Sequence, residues 1–396
     1  MTIWTIALYT GLAGLGWTFI ELLFKKSGSF VISFLKNWVG AFFIFSAVVK
    51  LVDPVGFAIK LGDYFDVFRL TFLHPIAQFA AFVILVLELV VGVALLFNAY
   101  KKFIYAILIG MIVFFTVLTG VSAIFGVVQD CGCFGDFLKI SPYTSFIKDL
   151  ILLGVILLFV WQSKYLKPFF DRRGQFAVTA IATVAGLAFT LHNFFHLPMW
   201  DFRAYKVGTY IPDKMNEISP PVYENRFTYK NETTGEEKVF VDTFPSDSIW
   251  TFVDREQKLI DEGEPAPIHD FSFTANNGDD LTEQMLQFEK PILLIISHNI
   301  RKAKDKSATQ IKTLIEASDE FSNYNYAFVT ASNDAELEAW KEKHELTGTN
   351  LSADATMLKT VIRSNPGLVL LQQGTIIGKW HHGDAPSVQE ITELIN

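Results

Sequence analysis

Long apolar runs separated by mostly short polar breaks fill the first half of the chain. A helix crossing about 30 Å of hydrocarbon needs about 20 mostly apolar residues. Residues 3–24, 31–52, 75–97, 103–128, 144–161 and 175–197 read as such spans. One soluble core does not use so many, so the pattern predicts a membrane domain of six helices over residues 1–197. Between the second and third runs, Lys60, Asp63, Asp66 and Arg69 recur every three residues among Val55, Phe57, Ile59, Leu61, Phe65 and Phe68. That spacing predicts a short amphipathic helix lying in the outer interface, with an ordinary polar loop as the alternative.

Beyond residue 197 the pattern changes. Residues 198–267 are polar and interrupted by prolines, and 224–230 with 237–243 predict a β-hairpin in this linker region. From 268 to 396, strands expected at 270–274, 291–297 and 326–330 alternate with helices at 281–288, 303–321, 334–344 and 354–362. A second hairpin, 368–372 with 375–380 around Gln373-Gly374, precedes a closing helix at 387–395. Such alternation marks an α/β domain.

Charge sharpens the division. Up to Leu197 the chain holds 14 of its 33 lysines and arginines and 9 of its 41 aspartates and glutamates, a net of +5; the remainder carries −13. The acidic second half argues against nucleic acid, which needs a basic surface. Lysine and arginine resist translocation. One set of loops and span ends carries Lys25, Lys26, Lys36, Lys101, Lys102, Lys164, Lys167, Arg172 and Arg173; the other carries Lys50, Lys60, Arg69, Lys139 and Lys148. Nine against five puts the first set in the cytoplasm. The amino terminus and everything after Leu197 are then expected outside, on the periplasmic face of a bacterial inner membrane. No charge precedes the first run while Lys25 and Lys26 follow it, the reverse of a cleavable signal, so this run is expected to stay as an anchor. Glu21, near the cytoplasmic end of that run, reads as interfacial.

The chain has two cysteines, Cys131 and Cys133, in Gln129-Asp130-Cys131-Gly132-Cys133-Phe134-Gly135-Asp136. The predicted orientation places this loop in the oxidising compartment, where disulfides persist. Two thiols one residue apart close only a minimal ring, and the intervening glycine makes closure feasible. Such a bridge restrains almost no chain entropy. A strained, exposed disulfide is the kind that exchanges electrons. Asp130 and Asp136 oppose thiolate formation, and Lys139 offsets them in part. Two idle cysteines and a metal site remain as alternatives, the latter lacking two further ligands at any usual spacing.

Residues 39–54, running from Val39-Gly40-Ala41-Phe42 to Lys50-Leu51-Val52-Asp53-Pro54, resemble the opening of the DoxX and MauE group of redox-associated membrane proteins. Glu88-Leu89-Val90-Val91-Gly92 resembles that group's third-helix signature. Asp130-Cys131-Gly132-Cys133-Phe134-Gly135-Asp136, followed by Ser145-Phe146 and Lys148-Asp149, is similar to the MauE cysteine loop. The resemblance covers about residues 38–161, a four-helix core, and leaves the first and sixth spans as additions. With the outer domain added, the architecture is similar to DoxX-family proteins of Bacteroidetes. It implies a quinone- or thiol-linked redox role, with Lys50, Asp53, Glu88, Cys131, Cys133 and Asp149 as site candidates. Physical chemistry weighs them separately. Lys50, near a span end, is able to snorkel as a plain anchor. Glu88, deep in its span, is costly and reads as functional, or else as a neutral acid bonded to its own helix. The 38 phenylalanines suit lipid-facing bulk before they suit a quinone pocket.

The order of elements after residue 268, with Asn365-Pro366-Gly367 leading into the second hairpin, resembles a thioredoxin-like domain whose cis-proline position is Pro366. Where that family carries Cys-x-x-Cys, this chain has His298-Asn299-Ile300-Arg301. A domain without cysteine does not exchange disulfides, so His298, Asn365 and Pro366 are expected to serve in binding a partner protein. The chain is therefore expected to exchange electrons between Cys131 and Cys133 and a periplasmic or membrane partner or quinone, with no metal, in contact with the lipid bilayer. The alternative is a non-catalytic docking subunit of an envelope complex.

Overall fold

The computed structural model describes residues 2–126, 132–216, 218–246, 248–261, 263, 266–321 and 323–395. The chain divides into two compact units. One spans Met1–Arg203 with Trp380–Ala385; the other spans Ala204–Lys379 with Pro386–Asn396.

Seven helices build the first unit: α1 (Ile3–Leu23), α2 (Phe30–Leu51), α3 (Pro54–Val67), α4 (Ala77–Phe97), α5 (Lys101–Phe125), α6 (Pro142–Trp161) and α7 (Arg172–Phe195). Six of them, all but α3, are long and apolar enough to cross a membrane. Their starts are written in capping residues. Ser29, Asp53, Ser141 and Asp171 each accept a hydrogen bond from a backbone N–H of the first turn of α2, α3, α6 and α7. Pro54 and Pro142 occupy first-turn positions, where a missing N–H costs nothing. The amphipathic segment is α3, and the polar-loop alternative falls away.

Helix α2 is central, packing on α1, α4 and α6, while α4 also packs on α7 and α5 on α6. Small residues allow the close crossings. A Cβ on Gly14 of α1 would lie 2.7 Å from the backbone nitrogen of Trp38, and one on Gly92 of α4 would lie 2.9 Å from that of Ile44. Buried Val39, Phe42, Phe43, Val91, Leu95, Leu108, Ile112, Leu152 and Ile156 fill the space between.

Two charges lie buried between helices, one of them a lysine assigned to the loops and span ends by the count along the chain. Lys36 belongs to the second turn of α2 and is fully buried, with Nζ 2.5 Å from Oε1 of Glu21. Glu21 faces inward; it is 2% exposed and also accepts from Ser33 Oγ and, at 3.0 Å, from Asn37 Nδ2. An ionisable side chain among apolar helices persists only with such partners, and the partners come from a different helix.

In the second unit, α8 (Ile211–Lys214) precedes an antiparallel sheet of β1 (Val222–Asn231), β2 (Glu237–Val241) and β3 (Trp250–Asp261), ordered β2-β1-β3. The predicted hairpin is β1–β2. Strand β3 went unpredicted because its charges and apolar residues do not alternate cleanly. Its pairing with β1 shifts register between Thr228 and Tyr229, which brings Phe252 opposite Tyr229.

The remaining elements are β4 (Thr274–Ala275), α9 (Thr282–Leu286), β5 (Ile292–Ser297), α10 (Ala308–Phe321), β6 (Asn325–Thr330), α11 (Asp334–Lys343), β7 (Thr349–Ser352), α12 (Ala355–Val361), β8 (Gly367–Gln372), β9 (Thr375–His381) and α13 (Val388–Ile395). They form a six-stranded sheet ordered β4-β7-β6-β5-β8-β9. Strands β5, β6 and β7 run parallel and β8 antiparallel to β5. The peptide bond Asn365–Pro366 is cis. This is a thioredoxin-like domain. Strands β5 and β8 are almost wholly buried, as their unbroken apolar runs dictate. Gln373 and Gly374, both at positive φ, make the hairpin turn. Helix α10 begins at Ala308 rather than 303: Ala303 and Lys304 are extended, and the Lys304 N–H donates to the carbonyl of Asn365 at 3.0 Å.

The α2–α4 crossing yields a test. Gly92→Val should lower stability by about 1–3 kcal/mol through overpacking, seen as a lower unfolding temperature in detergent. Gly110→Ala, whose Cβ would meet nothing within 4 Å, should leave that temperature unchanged.

Candidate functional site

Five helices and the cysteine loop converge on one cavity of about 50 Å³ in the first unit. Phe42, Ser46 and Lys50 recur every four residues on α2, so all three face it. Lys60, Leu61 and Tyr64 of α3 line it, with Glu88 of α4, Phe115 and Thr119 of α5, and Lys148 and Asp149 of α6. Gly132 and Cys133 complete the wall.

Its electrostatics rest on two lysine–carboxylate pairs. Lys50 Nζ lies 2.5 Å from Glu88 Oε2, and both side chains are under 5% exposed. The Lys50 ammonium also sits over the rings of Phe57 and Phe115, at 5.5 and 5.3 Å. Lys50 thus turns inward to a partner on α4 rather than out to the interface, and Glu88 meets a side chain of α2 rather than its own helix. Lys148 Nζ lies 2.8 Å from Asp149 Oδ1, and Thr119 Oγ1 donates to Asp149 Oδ2 at 3.0 Å. Lys148 also lies 5.5 Å from the ring centre of Phe134.

The loop is pinned by its aromatic residue. Phe134 is fully buried between Phe42 and Phe45 of α2, and Ser46 Oγ donates to the Cys133 carbonyl at 3.3 Å. Gly132 has φ of +66°, in the region that disfavours side chains, and a Cβ there would lie 3.3 Å from Lys60 Cγ. Cys133 is thereby presented to the cavity. Cys131 and Asp130 lie outside the described residues.

In the thioredoxin-like domain, Asn365 joins the proline loop to the chain after β5. Ser297 Oγ donates to its Oδ1 at 2.6 Å, and its Nδ2 donates to the Asn299 carbonyl at 2.8 Å. His298 is half-buried, and its imidazole is held down to about 4 by burial first and then by the charges of Lys359, Lys302 and Arg363.

Comparison with known proteins now bears on both units. Residues 28–162 match the family described as "Methylamine utilisation protein MauE". The membrane half is MauE-like. Residues 223–262, which span the three-stranded sheet, match a domain of unknown function, DUF8463. "Protein TlpB" of Flavobacterium psychrophilum is 24% identical over 210 residues, 51% of this chain and 55% of that protein. The chain thus spans about half the length of this curated relative. Among solved structures, a secreted disulfide oxidoreductase of Mycobacterium tuberculosis aligns at 15% identity and TM-score 0.25, covering 32% of this chain and 94% of that one. A thiol-disulfide oxidoreductase from Bacteroides fragilis aligns at 14% identity and TM-score 0.26, covering 32% and 96%.

Of the residues singled out from sequence, the MauE-like domain brings Lys50, Glu88, Cys133 and Asp149 to one cavity. Asp53 is elsewhere: its Oδ1 caps α3 by accepting from Gly56 N at 2.8 Å. Asp136 lies in a short 3-10 turn, Gly135–Phe137, beyond the cavity wall. Sequence reasoning missed Ser46, Lys60, Thr119 and Lys148 as wall residues. Lys148 carried a usable signal, since a lysine beside an aspartate inside an apolar span is costly unless paired; Thr119 carried none. Among the described residues, no group of three or more His, Cys, Asp or Glu side chains gathers as a metal site.

Two tests follow. Lys50→Met alone leaves the Glu88 carboxylate buried and unpaired, at a cost of about 3–5 kcal/mol. Lys50→Met with Glu88→Leu should recover most of that loss in unfolding measurements in detergent; a double variant no more stable than the single would deny the pair this role. For His298, the unfolded chain takes a proton near pH 6.5 and the folded one only near 4. Stability is therefore full above pH 6.5 and declines as pH falls toward 4. His298→Gln should flatten that decline in acid-unfolding curves.

Proposed function

We propose that this membrane protein exchanges electrons through Cys131 and Cys133 with a thiol partner outside the cytoplasm. The observation that carries the reading is Cys133 in the wall of a cavity that also holds Lys50, Lys60 and Lys148. Ammonium groups near a thiol favour the thiolate, which is the attacking species. They counter Asp130 and Asp136, which oppose it.

In the proposed exchange, a partner dithiol attacks the Cys131–Cys133 disulfide through a mixed disulfide. The partner leaves oxidised, and its two electrons and two protons remain on Cys131 and Cys133. Reoxidation needs a two-electron, two-proton acceptor. The wall suits a quinone in kind: Lys50 and Lys148 have ammonium donors for carbonyl oxygens, and Phe42, Phe57 and Phe115 offer ring faces. A bound quinone would supply that acceptor. Lys50 and Lys148 would orient it, and Glu88 and Asp149 would hold their ammoniums in place.

Orientation is part of the proposal, and burial supports it. Lys36, Lys50 and Lys148 are paired inside the helices rather than lodged in loops. Without them the loop count favours the same side more strongly, with Lys25, Lys26, Lys101, Lys102, Lys164, Lys167, Arg172 and Arg173 against Lys60, Arg69 and Lys139. The thioredoxin-like domain, having no cysteine, would recruit or position the partner. A docking subunit with idle cysteines is the second reading, favoured by the same lack of cysteine there.

Thiol trapping in intact cells decides between them. A membrane-impermeant maleimide should label Cys133 in the Cys131→Ser variant, and in the wild type only after reductant treatment. A wild-type pair that stays reduced, or thiols reached only by a permeant reagent, would overturn the exchange reading. Full function in both Cys131→Ser and Cys133→Ser would favour docking.

A further inference from the structure

The thioredoxin-like domain is acidic, yet cations gather where its redox motif would lie. Arg301 and Lys302 stand in the 3-10 turn after His298, with Lys304 and Lys306 just beyond. Lys359 lies in the last turn of α12 and Arg363 just past its end, leading into the cis-proline loop. Arg301 is engaged by Glu336 at 2.5 Å, and nearby Asp305 is held by Lys343 and His344. Among the described residues, Lys302, Lys304, Lys306 and Lys359 have no ion-pair partner within 4 Å. These cations surround His298 closely enough that Lys359, Lys302 and Arg363 all oppose its protonation.

A second observation lies in the same place. Asn299 Oδ1 is buried and accepts no hydrogen bond. Its backbone carbonyl accepts from Asn365 Nδ2, which ties the chain carrying Arg301 and Lys302 to the proline loop that Arg363 leads into. The site thus gathers several cations on two joined segments, where carboxylate side chains would meet them.

We propose that this face of the domain binds an extended, acidic peptide segment of the partner protein, through the cluster of Lys302, Lys359 and Arg363. The inference rests on the partner-recruiting role of the domain and adds the chemistry it selects. Carboxylates fit the cations, and the strong net negative charge of the rest of the domain turns acidic segments away from other faces.

The test uses the full chain in detergent micelles and a fluorescent peptide of alternating glutamate and serine, followed by anisotropy. A glutamine–serine peptide and a lysine–serine peptide serve as comparisons. The acidic peptide should bind at least about tenfold tighter than the glutamine one, and added salt should weaken it. Lys302→Glu with Lys359→Glu should weaken it about tenfold, the order expected on reversing two partly exposed charges. The same variant should gain affinity for the lysine peptide, which a misfolded protein would not do. Equal binding of acidic and glutamine peptides would overturn the charge preference alone. Failure to bind any peptide would overturn the recruiting role as well.

Discussion

The bond between Lys50 and Glu88 is the constraint around which the membrane domain is organised. Two charges removed from water cost several kcal/mol each unless their geometry is close to ideal, and here they are 2.5 Å apart. Holding them so requires α2 and α4 to cross closely, which is why Gly40 and Gly92 meet there, with no room for a Cβ on Gly92 and a tight 3.1 Å approach for one on Gly40. That crossing fixes Ser46 one turn before Lys50, and Ser46 in turn holds the Cys133 carbonyl. Loop, cavity and ion pair are therefore one mechanical unit.

Much of this was legible along the chain, and the failures share one cause. Apolar length fixed the six long helices, because a backbone in lipid must satisfy its own hydrogen bonds. Glu88 stood out because a carboxylate in mid-span demands a partner. Lys36 misled, because a count along the chain sees a lysine near the start of a run and takes it for a loop charge. Its partner Glu21 lies 15 residues away on another helix, and no local pattern encodes that. Thr119 and Ser46 are ordinary helix residues until α5 and α2 bring them to the same wall. Strand β3 was missed for a related reason: nearly all its residues are exposed, so neither face imprints a hydrophobic alternation.

The two units separate what a thioredoxin-like protein ordinarily combines. The cysteines sit in the MauE-like half, while the domain with the redox fold keeps its sheet order, cis-proline and loop packing without a thiol. Fold alone assigns no chemistry. What persists at that site is hydrogen bonding, with Asn365 tied to Ser297 and to Asn299, and a group of cations that a redox thiol would no longer explain. On the proposed reading, recruiting a partner uses this scaffold and needs no thiol in it.

The charge balance around Cys133 joins these points. Along the chain its neighbours are Asp130 and Asp136, and on that view a thiolate is disfavoured. Across the cavity the wall carries three lysines and two carboxylates, a surplus of one positive charge. Lys50 and Lys148 are balanced by Glu88 and Asp149, so the surplus rests on Lys60, whose 36% exposed side chain acts through partly screened surroundings. Asp63 approaches Lys60 only at 4.0 Å, on an exposed edge, and cancels little of that surplus. On the proposed chemistry a thiolate at Cys133 would neutralise the wall, and disulfide formation would restore the excess charge. The reduced state is then the one the Lys60 charge favours, and on the proposed chemistry the two-electron acceptor withdraws electrons against that preference.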